Sequence, residues 1–362
     1  MHIDAGHEWR GGQQQVFYLL HNMVHAGYET RLICPDGSPL AVRCRKAGLP
    51  VETLPLTSRS RLKDARRIAQ VCRREGVDII HAHCSHSLTL ALLARLFYRR
   101  PKIVAARRVD FHVKKPVVGA WKYRTRLVDR IICVSDAIRD IIIHDGVPAN
   151  KVVTVRSGVD LHKFGNVSAD GLREEFAIPA DHTLIVTVAA LVGHKDYPTL
   201  LRAAQRVMQQ NEKVTFLAAG DGPGKVKLLA LAKELNLGNR FIFAGHRADV
   251  GRFLKAADIF VMASKTEGLG TSLLDAQAAG CAIVATRAGG IPEIIKDGET
   301  GVLVPTEDPA TLAGAVLALL EEASRRKQLS EAAKNGAEFF SHTVTFKKTI
   351  DEYQSLLHQK RH

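Results

Sequence analysis

At 362 residues the chain exceeds the usual span of one compact core and fits two α/β domains of ordinary size, and 46% apolar against 24% charged residues excludes the composition of a disordered protein. Its longest apolar stretches, near Leu88 to Phe97 and Leu312 to Leu320, run about ten residues where a bilayer span needs roughly twenty, which excludes a transmembrane helix. The net charge of +14, from 51 Lys and Arg against 37 Asp and Glu, attracts polyanions without choosing among them, and much of the excess lies in 59–74, 99–108 and 114–130.

The opening MHIDAGHEWRGG carries Asp4 and Glu8 and no apolar core, so it lacks the layout of a secretory signal and predicts a cytoplasmic chain. The cysteines at 34, 44, 72, 84, 133 and 281 are scattered with no CxxC pair, which predicts reduced, mostly buried thiols. Short β-like runs alternate with amphipathic helical runs throughout, the pattern of parallel sheets with crossover helices. In the first half strands are predicted at His2–Ala5, Thr30–Cys34, Val51–Leu54, Asp78–His81, Lys102–Ala106, Arg130–Val134 and Lys151–Val155, with a helix at Gln13–Ala26. The first strand starts almost at Met1, which leaves room for a native start upstream. RSGVDLHKFGN, residues 156–166, has neither period and marks a domain boundary; a helix is predicted after it at Ala169–Phe176. Later strands are predicted at Thr183–Ala189, Val214–Ala218, Arg240–Phe243, Ile259–Met262, Ala282–Ala285 and Gly301–Val304, with helices at Thr199–Gln210 and Ala310–Ala323. A break at Ser341–Thr343 precedes a last helix over Val344–His358. The expected division is 1–160, 161–340 and a C-terminal helical segment 341–362 free to cross back to the first domain.

The strongest local signal is Glu267-Gly268-Leu269-Gly270-Thr271-Ser272-Leu273-Leu274-Asp275, between the strand-like DIFVMAS and the helical LLDAQAAG. Glycines let a turn approach a ligand closely, and a helix starting near Thr271 points free N–H groups and its positive dipole end at a phosphate. Glu267 before the turn and Asp275 one turn into the helix are then acceptors for hydroxyls flanking that phosphate, as a nucleotide sugar offers. The bland alternative is a tight strand-to-helix connection with Thr271 or Ser272 as N-cap.

The run EGLGTSLLDAQAAGCAIVATRAGGIPEII resembles the E-x7-E region of family-4 glycosyltransferases. Gly220-Asp221-Gly222-Pro223, Phe243-Ala244-Gly245, Gly289-Gly290, Pro292-Glu293 and Gly298-Glu299-Thr300-Gly301 fall in that family's order, and RGGQQQ, HAHCSH, VSDAI and SGVDLHKF extend the likeness over nearly the whole chain. The resemblance implies an α/β fold of GT-B architecture, with two Rossmann-like doubly wound domains facing across a cleft. It implies that Glu267 meets the donor sugar's hydroxyls, that the backbone from Gly268 through Leu269, Gly270, Thr271 and Ser272 to Leu273 holds sugar and diphosphate, and that Asp275 takes the ribose. Asp275 stands where the family normally has Glu and is shorter by one methylene, so a longer or water-mediated ribose contact is expected. Lys195, in LVGHKDYPTLL, resembles the lysine that neutralises the diphosphate; its alternative is a surface lysine in a βα loop. Ala189-Ala190 stand where an Arg is common. Gly11 and Gly12 match the loop that brings N–H groups towards the donor phosphates, Gly220 is a further donor-binding candidate, and contacts to the base are expected from the loop around Gly245, His246 and Arg247.

His81-Ala82-His83 invites a zinc reading, yet no second Cys/His pair at suitable spacing supports one, so no metal is expected. The resemblance instead sets His83 at the cleft-facing end of the first domain as a catalytic candidate. Many relatives carry a histidine after the next strand; AARRVDF sets Arg108 about there. Arg107, Arg108 and Asp110, with Trp9 and Arg10, are acceptor candidates, or surface residues that merely pair with one another.

The expected activity is retaining transfer from a nucleotide sugar, a UDP-sugar by analogy with the family, to a hydroxyl of a glycan or lipid-linked acceptor at an anionic membrane face, with no metal or other cofactor expected. A dehydrogenase ranks low because no strand is followed by GxGxxG with an acid about twenty residues on. A nucleotide-sugar epimerase shares the architecture, and a basic non-enzymatic RNA- or membrane-binding protein is the contrasting class. Aromatics at 6% and the lack of RNP-like or KH-like motifs argue against nucleic acid.

Overall fold

The computed structural model describes residues 1–110 and 118–358. The chain divides into two compact units, one gathering Met1–Gly158 and His342–His362, the other Val159–Ser341.

In the first unit seven strands form one sheet: β1 (His2–Ile3), β2 (Leu32–Cys34), β3 (Val51–Thr53), β4 (Ile79–Ala82), β5 (Lys102–Arg107), β6 (Arg130–Cys133) and β7 (Val152–Thr154), in the order β3-β2-β1-β4-β5-β6-β7. Every pairing is parallel. The second unit holds β8 (Thr183–Val188), β9 (Val214–Ala219), β10 (Phe241–Gly245), β11 (Ile259–Met262), β12 (Ala282–Thr286) and β13 (Val302–Val304), in the order β10-β9-β8-β11-β12-β13, again all parallel. Both sheets reverse their winding once, between β1 and β4 and between β8 and β11. At such a switch point the loops leaving two neighbouring strands diverge and open a crevice at the carboxyl edge.

Burial on both faces explains the near-continuous apolar strands, such as AIVAT of β12, buried throughout. The helix Tyr197–Gln210 buries Tyr197, Leu200, Leu201, Ala204, Val207 and Met208 at helical spacing, and packs with Leu312, Val316 and Leu319 of the helix Pro309–Glu321. Truncating a fully buried leucine such as Leu201 costs about 2–5 kcal/mol. In the first unit the last helix, His342–His358, lays Ile350, Tyr353 and Leu356 onto Leu19, Met23, Ile79, Val104, Ile132 and Val155. Arg130 pairs with Glu352 at 3.3 Å, and Thr345 donates to the Arg156 carbonyl at 2.8 Å.

The helix expected over Ala169–Phe176 shrinks to Leu172–Glu175. Ser168 Oγ accepts the Asp170 N–H at 2.9 Å and Gly171 adopts φ +71°, so a turn precedes the helix, while Ala177 at φ +50° ends it.

Candidate active site

In the second unit, β11 runs into a turn whose Gly268, Leu269 and Gly270 are buried, and the helix Thr271–Ala279 starts directly after it. Gly270 is the N-cap, at φ +91°, with no side-chain hydrogen bond. Thr271 and Ser272 therefore lie inside the first turn, which corrects the capping alternative: a left-handed backbone suits glycine, and it removes the side chain that would otherwise satisfy the leading N–H groups. Leu273 is fully buried and anchors the turn.

The turn is clamped from β12's side. Gly290 donates its N–H to the Glu267 carbonyl at 3.0 Å, and a β-carbon on Gly289 would lie 1.9 Å from that same oxygen, so only glycine fits. The Glu267 carboxylate is ion-paired with Lys195 and accepts from Ser264 Oγ at 3.4 Å. Lys195 closes the single turn Gly193–Lys195 after β8, and the Lys265 N–H holds that turn through the His194 carbonyl at 2.9 Å. The two side chains are only 15% and 14% exposed, so water screens their attraction poorly and removing either one strands a charge. The pair spans the switch point, one member after β8 and the other after β11.

Asp275 lies one turn into the helix Thr271–Ala279. Its side chain is 16% exposed and meets Lys163 Nζ at 3.1 Å. Burial raises its pKa, and Lys163 opposes that shift. Lys163 lies in the aperiodic 156–166 stretch, where nothing in the local pattern marks it as a partner for a residue so distant in sequence. Gly220 seats against the Ala189 carbonyl, where a β-carbon would approach to 1.9 Å, and donates to the Gly245 carbonyl at 2.8 Å. This ties the ends of β8, β9 and β10 together. Arg247 is held by Asp249 at 2.8 Å and Glu175 at 2.7 Å, whereas His246 beside it is exposed.

In the first unit, β4 delivers His81 and His83 to a buried cluster that β1 completes with His2. His83 Nε2 lies 2.9 Å from His2 Nδ1, His2 Nε2 lies 3.2 Å from Met23 Sδ, and His81 Nδ1 lies 2.5 Å from the Tyr353 hydroxyl. Arg108 donates to the His83 carbonyl at 2.9 Å and lies 3.0 Å from His83 Nδ1. Burial, first, and then neighbouring positive charge hold the pKa values of all three histidines well below the ordinary value, and burial lowers that of Arg108. Nitrogens of the three rings lie within 4.8 Å of one another, a grouping that could hold a metal ion and that sequence spacing missed because His2 comes from another strand. Their geometry is accounted for by the hydrogen bonds, with His81 Nε2 alone lacking a partner, and the Arg108 guanidinium opposes a cation there.

The remaining first-unit candidates are dispersed. Gly11 and Gly12 open the helix Gly11–His25 after β1, with Arg10 as N-cap. Arg10 pairs with Glu8 at 2.5 Å, and Trp9 lies beneath Arg43 with 4.3 Å from ring centre to guanidinium carbon. Arg107 is buried against the Tyr123 ring at 5.5 Å, and Asp110 is half-buried in the loop after β5.

Each unit holds a parallel sheet wound in the same way, and the second adds a glycine-rich turn with an acid at each side, the features of a sugar-transferring enzyme of the two-domain type. Residues 169–336 match the family "glycosyl transferases group 1" and residues 9–163 match "glycosyltransferase family 4". The chain belongs to the group 1, family-4 type of glycosyltransferases. It is 26% identical over 302 residues to the N-acetyl-alpha-D-glucosaminyl L-malate synthase of Bacillus anthracis, covering 81% of this chain and 77% of that protein. It is 27% identical over 340 residues to the D-inositol 3-phosphate glycosyltransferase of Corynebacterium kroppenstedtii, covering 87% and 75%. The fold is similar to that of Anabaena HepE, solved with UDP and glucose, at TM-score 0.87 and 19% identity over 98% of both chains. Membership sets aside the dehydrogenase and the non-enzymatic readings. No helix among the described residues is long and apolar enough to cross a membrane.

Proposed function

We propose that the enzyme transfers a sugar from a UDP-sugar to a hydroxyl of a membrane-associated or anionic glycan precursor, such as a lipid-linked sugar or lipopolysaccharide core, with retention at the anomeric carbon. The observation that carries the donor half is the Lys195–Glu267 pair beside a helix start that no side chain caps. An arriving diphosphate competes for Lys195, because the ammonium and the leading N–H groups of Thr271–Ala279 together offer the positive potential a leaving diphosphate needs. Release of Lys195 frees the Glu267 carboxylate to accept from the sugar's hydroxyls. Asp275 takes the ribose through a longer or water-mediated contact, exchanging its hold on Lys163, and the base lies by Gly220, Gly245 and His246.

This positive potential does the work a cation would otherwise do, so no metal is required. In the first unit His83, buried with its ring nitrogens engaged, positions Arg108. The UDP-sugar and UDP complexes of Anabaena HepE support the choice of base by analogy of fold. The basic first-unit segments support a cytoplasmic-face, peripheral encounter with anionic lipid, each cation contributing about 1 kcal/mol near such a surface.

A thermal-shift panel of UDP, GDP, ADP and CMP tests the donor, with UDP expected to stabilise most. NMR of the product from an α-linked donor is expected to give an α linkage in the presence of EDTA; a β linkage, or loss of turnover with EDTA, overturns the mechanism.

A further inference from the structure

The first unit gathers positive charge at a second place, away from the histidine cluster. Arg61 opens the helix Arg61–Arg74, Lys122 lies on the helix Val118–Arg124, and Arg107 ends β5. Arg107 and Lys122 both lie over the Tyr123 ring, at 5.5 and 5.7 Å from its centre. Lys122 Nζ donates to the Ser85 carbonyl at 2.9 Å and to the Ser85 hydroxyl, which brings it to the start of the helix Ser85–Ala94. That helix is capped only by the Cys84 sulfur, a weak acceptor, at 3.4 Å from the Ser87 N–H.

Three properties set this cluster apart from a solvated basic face. First, it is partly withdrawn from water: burial lowers the Lys122 pKa, and the charges of Arg107 and Arg61 lower it further. Among the described residues the charges that shift Lys122 are those of Cys84, Arg107 and Arg61, with no carboxylate. Second, two of its polar atoms, Arg61 Nε and His86 Nε2, are shielded from solvent without a hydrogen-bond partner among the described residues. Third, the acid whose charge acts on His86 is Asp64, which already accepts from Ser60 Oγ at 2.5 Å. Like charges gathered out of water repel one another and lose solvation, and a bound anion offsets both costs.

We infer that Arg61, Arg107, Lys122 and His86 at the start of Ser85–Ala94 bind a phosphate group of the acceptor. The inference rests on the reading that the first unit takes the acceptor and deepens it: the acceptor is a phosphate ester, whose charge this cluster recognises. Arginine forks match phosphate oxygens, Lys122 adds a point charge, and the helix start adds N–H donors. None of Arg61, Lys122 and His86 stands out in the sequence, because they come from three separate segments.

The test is calorimetric titration of the full chain with inorganic phosphate, alongside sedimentation with phosphatidylcholine vesicles with and without phosphatidic acid. Saturable binding of phosphate is expected, weakened about tenfold or more in Arg61→Gln and in Lys122→Gln, and largely kept in Lys122→Arg. Arg59→Gln, exposed in the same basic segment, controls for general charge and is expected to bind as the unaltered chain does. If only phosphatidic acid vesicles bind, with the same dependence on Arg61 and Lys122, the phosphate is a lipid headgroup's; if free phosphate suffices, a soluble ester supplies it. Binding to neither, or equal binding by all variants, overturns the inference. UDP titrations on the same samples separate the two readings, since cluster variants are expected to keep their UDP affinity, while loss of UDP binding by the unaltered chain sinks the donor assignment instead.

Discussion

The same topological position is filled in opposite ways in the two units. At the first switch point, between β1 and β4, neutral histidines stack and Arg108 braces them. At the second, between β8 and β11, a lysine and a glutamate hold each other across the crevice. A ring cluster that is neutral and closed is a support; an ion pair at a crevice is, on the proposed function, a receptor held in reserve. The carboxyl edge of a doubly wound sheet thus offers a location, and the charges brought to it decide what it does.

Breaking the second site is expected to have the largest effect. Lys195→Ala removes the partner of a mostly buried carboxylate, so kcat/KM is expected to fall about 100- to 1,000-fold and stability by about 3–5 kcal/mol. Replacing both members with Met and Leu is expected to restore much of the stability and none of the turnover, as steady-state kinetics and denaturant melts would register. Recovery of activity in the double variant contradicts the donor role.

Acid sharpens the contrast. The histidines' folded-state pKa values are depressed, so their burial favours folding fully above the unfolded value of about 6.5 and that contribution is lost as pH falls below it. Protons taken up by the three rings on unfolding make the first unit's stability fall as pH drops below about 6.5. Asp275 works in the reverse sense: its raised pKa favours the fold at low pH and is a cost once pH rises through the folded value. Both tryptophans, Trp9 and Trp121, lie in the first unit, so their fluorescence in denaturant melts from pH 8 to pH 5 reports that unit alone. A midpoint indifferent to pH over that range contradicts the neutral cluster.

Two smaller effects probe the turn itself. Gly289→Ala forces a β-carbon onto the Glu267 carbonyl at a positive φ, and is expected to cost about 1–3 kcal/mol and raise KM for the donor more than it lowers kcat. Asp275→Glu lengthens the side chain by one methylene and, on the proposed ribose role, is expected to tighten UDP by roughly threefold, less than one full hydrogen bond is worth. Thermal shift with UDP would register it, and weaker binding would mean that the Lys163 contact matters more than the reach.

The strands were legible because buried parallel strands read as short apolar runs between turns, and the glycine-rich turn was legible because its residues are contiguous between a strand and a helix. What escaped the sequence reading is non-local. His2 meets His83 across 81 positions, Tyr353 meets His81 across 272, and Lys163 meets Asp275 across 112, and no periodicity couples such pairs. The helix start near Thr271 was legible, and only the alternative with Thr271 or Ser272 as N-cap fails for a local reason: side-chain preference favours Thr or Ser there, while the left-handed Gly270 takes the cap.

The return of His342–His358 to the first unit has a consequence for how the protein is made. The chain leaves the first unit at Gly158 and rejoins it at His342, and the Val159 N–H meets the Phe340 carbonyl at 2.8 Å, so both crossings lie side by side. On the ribosome, where synthesis outlasts the folding of a single domain, the Val159–Ser341 unit has all its residues before the first unit does. The half that is translated first is therefore completed last, and until Tyr353 arrives its histidine cluster lacks one wall.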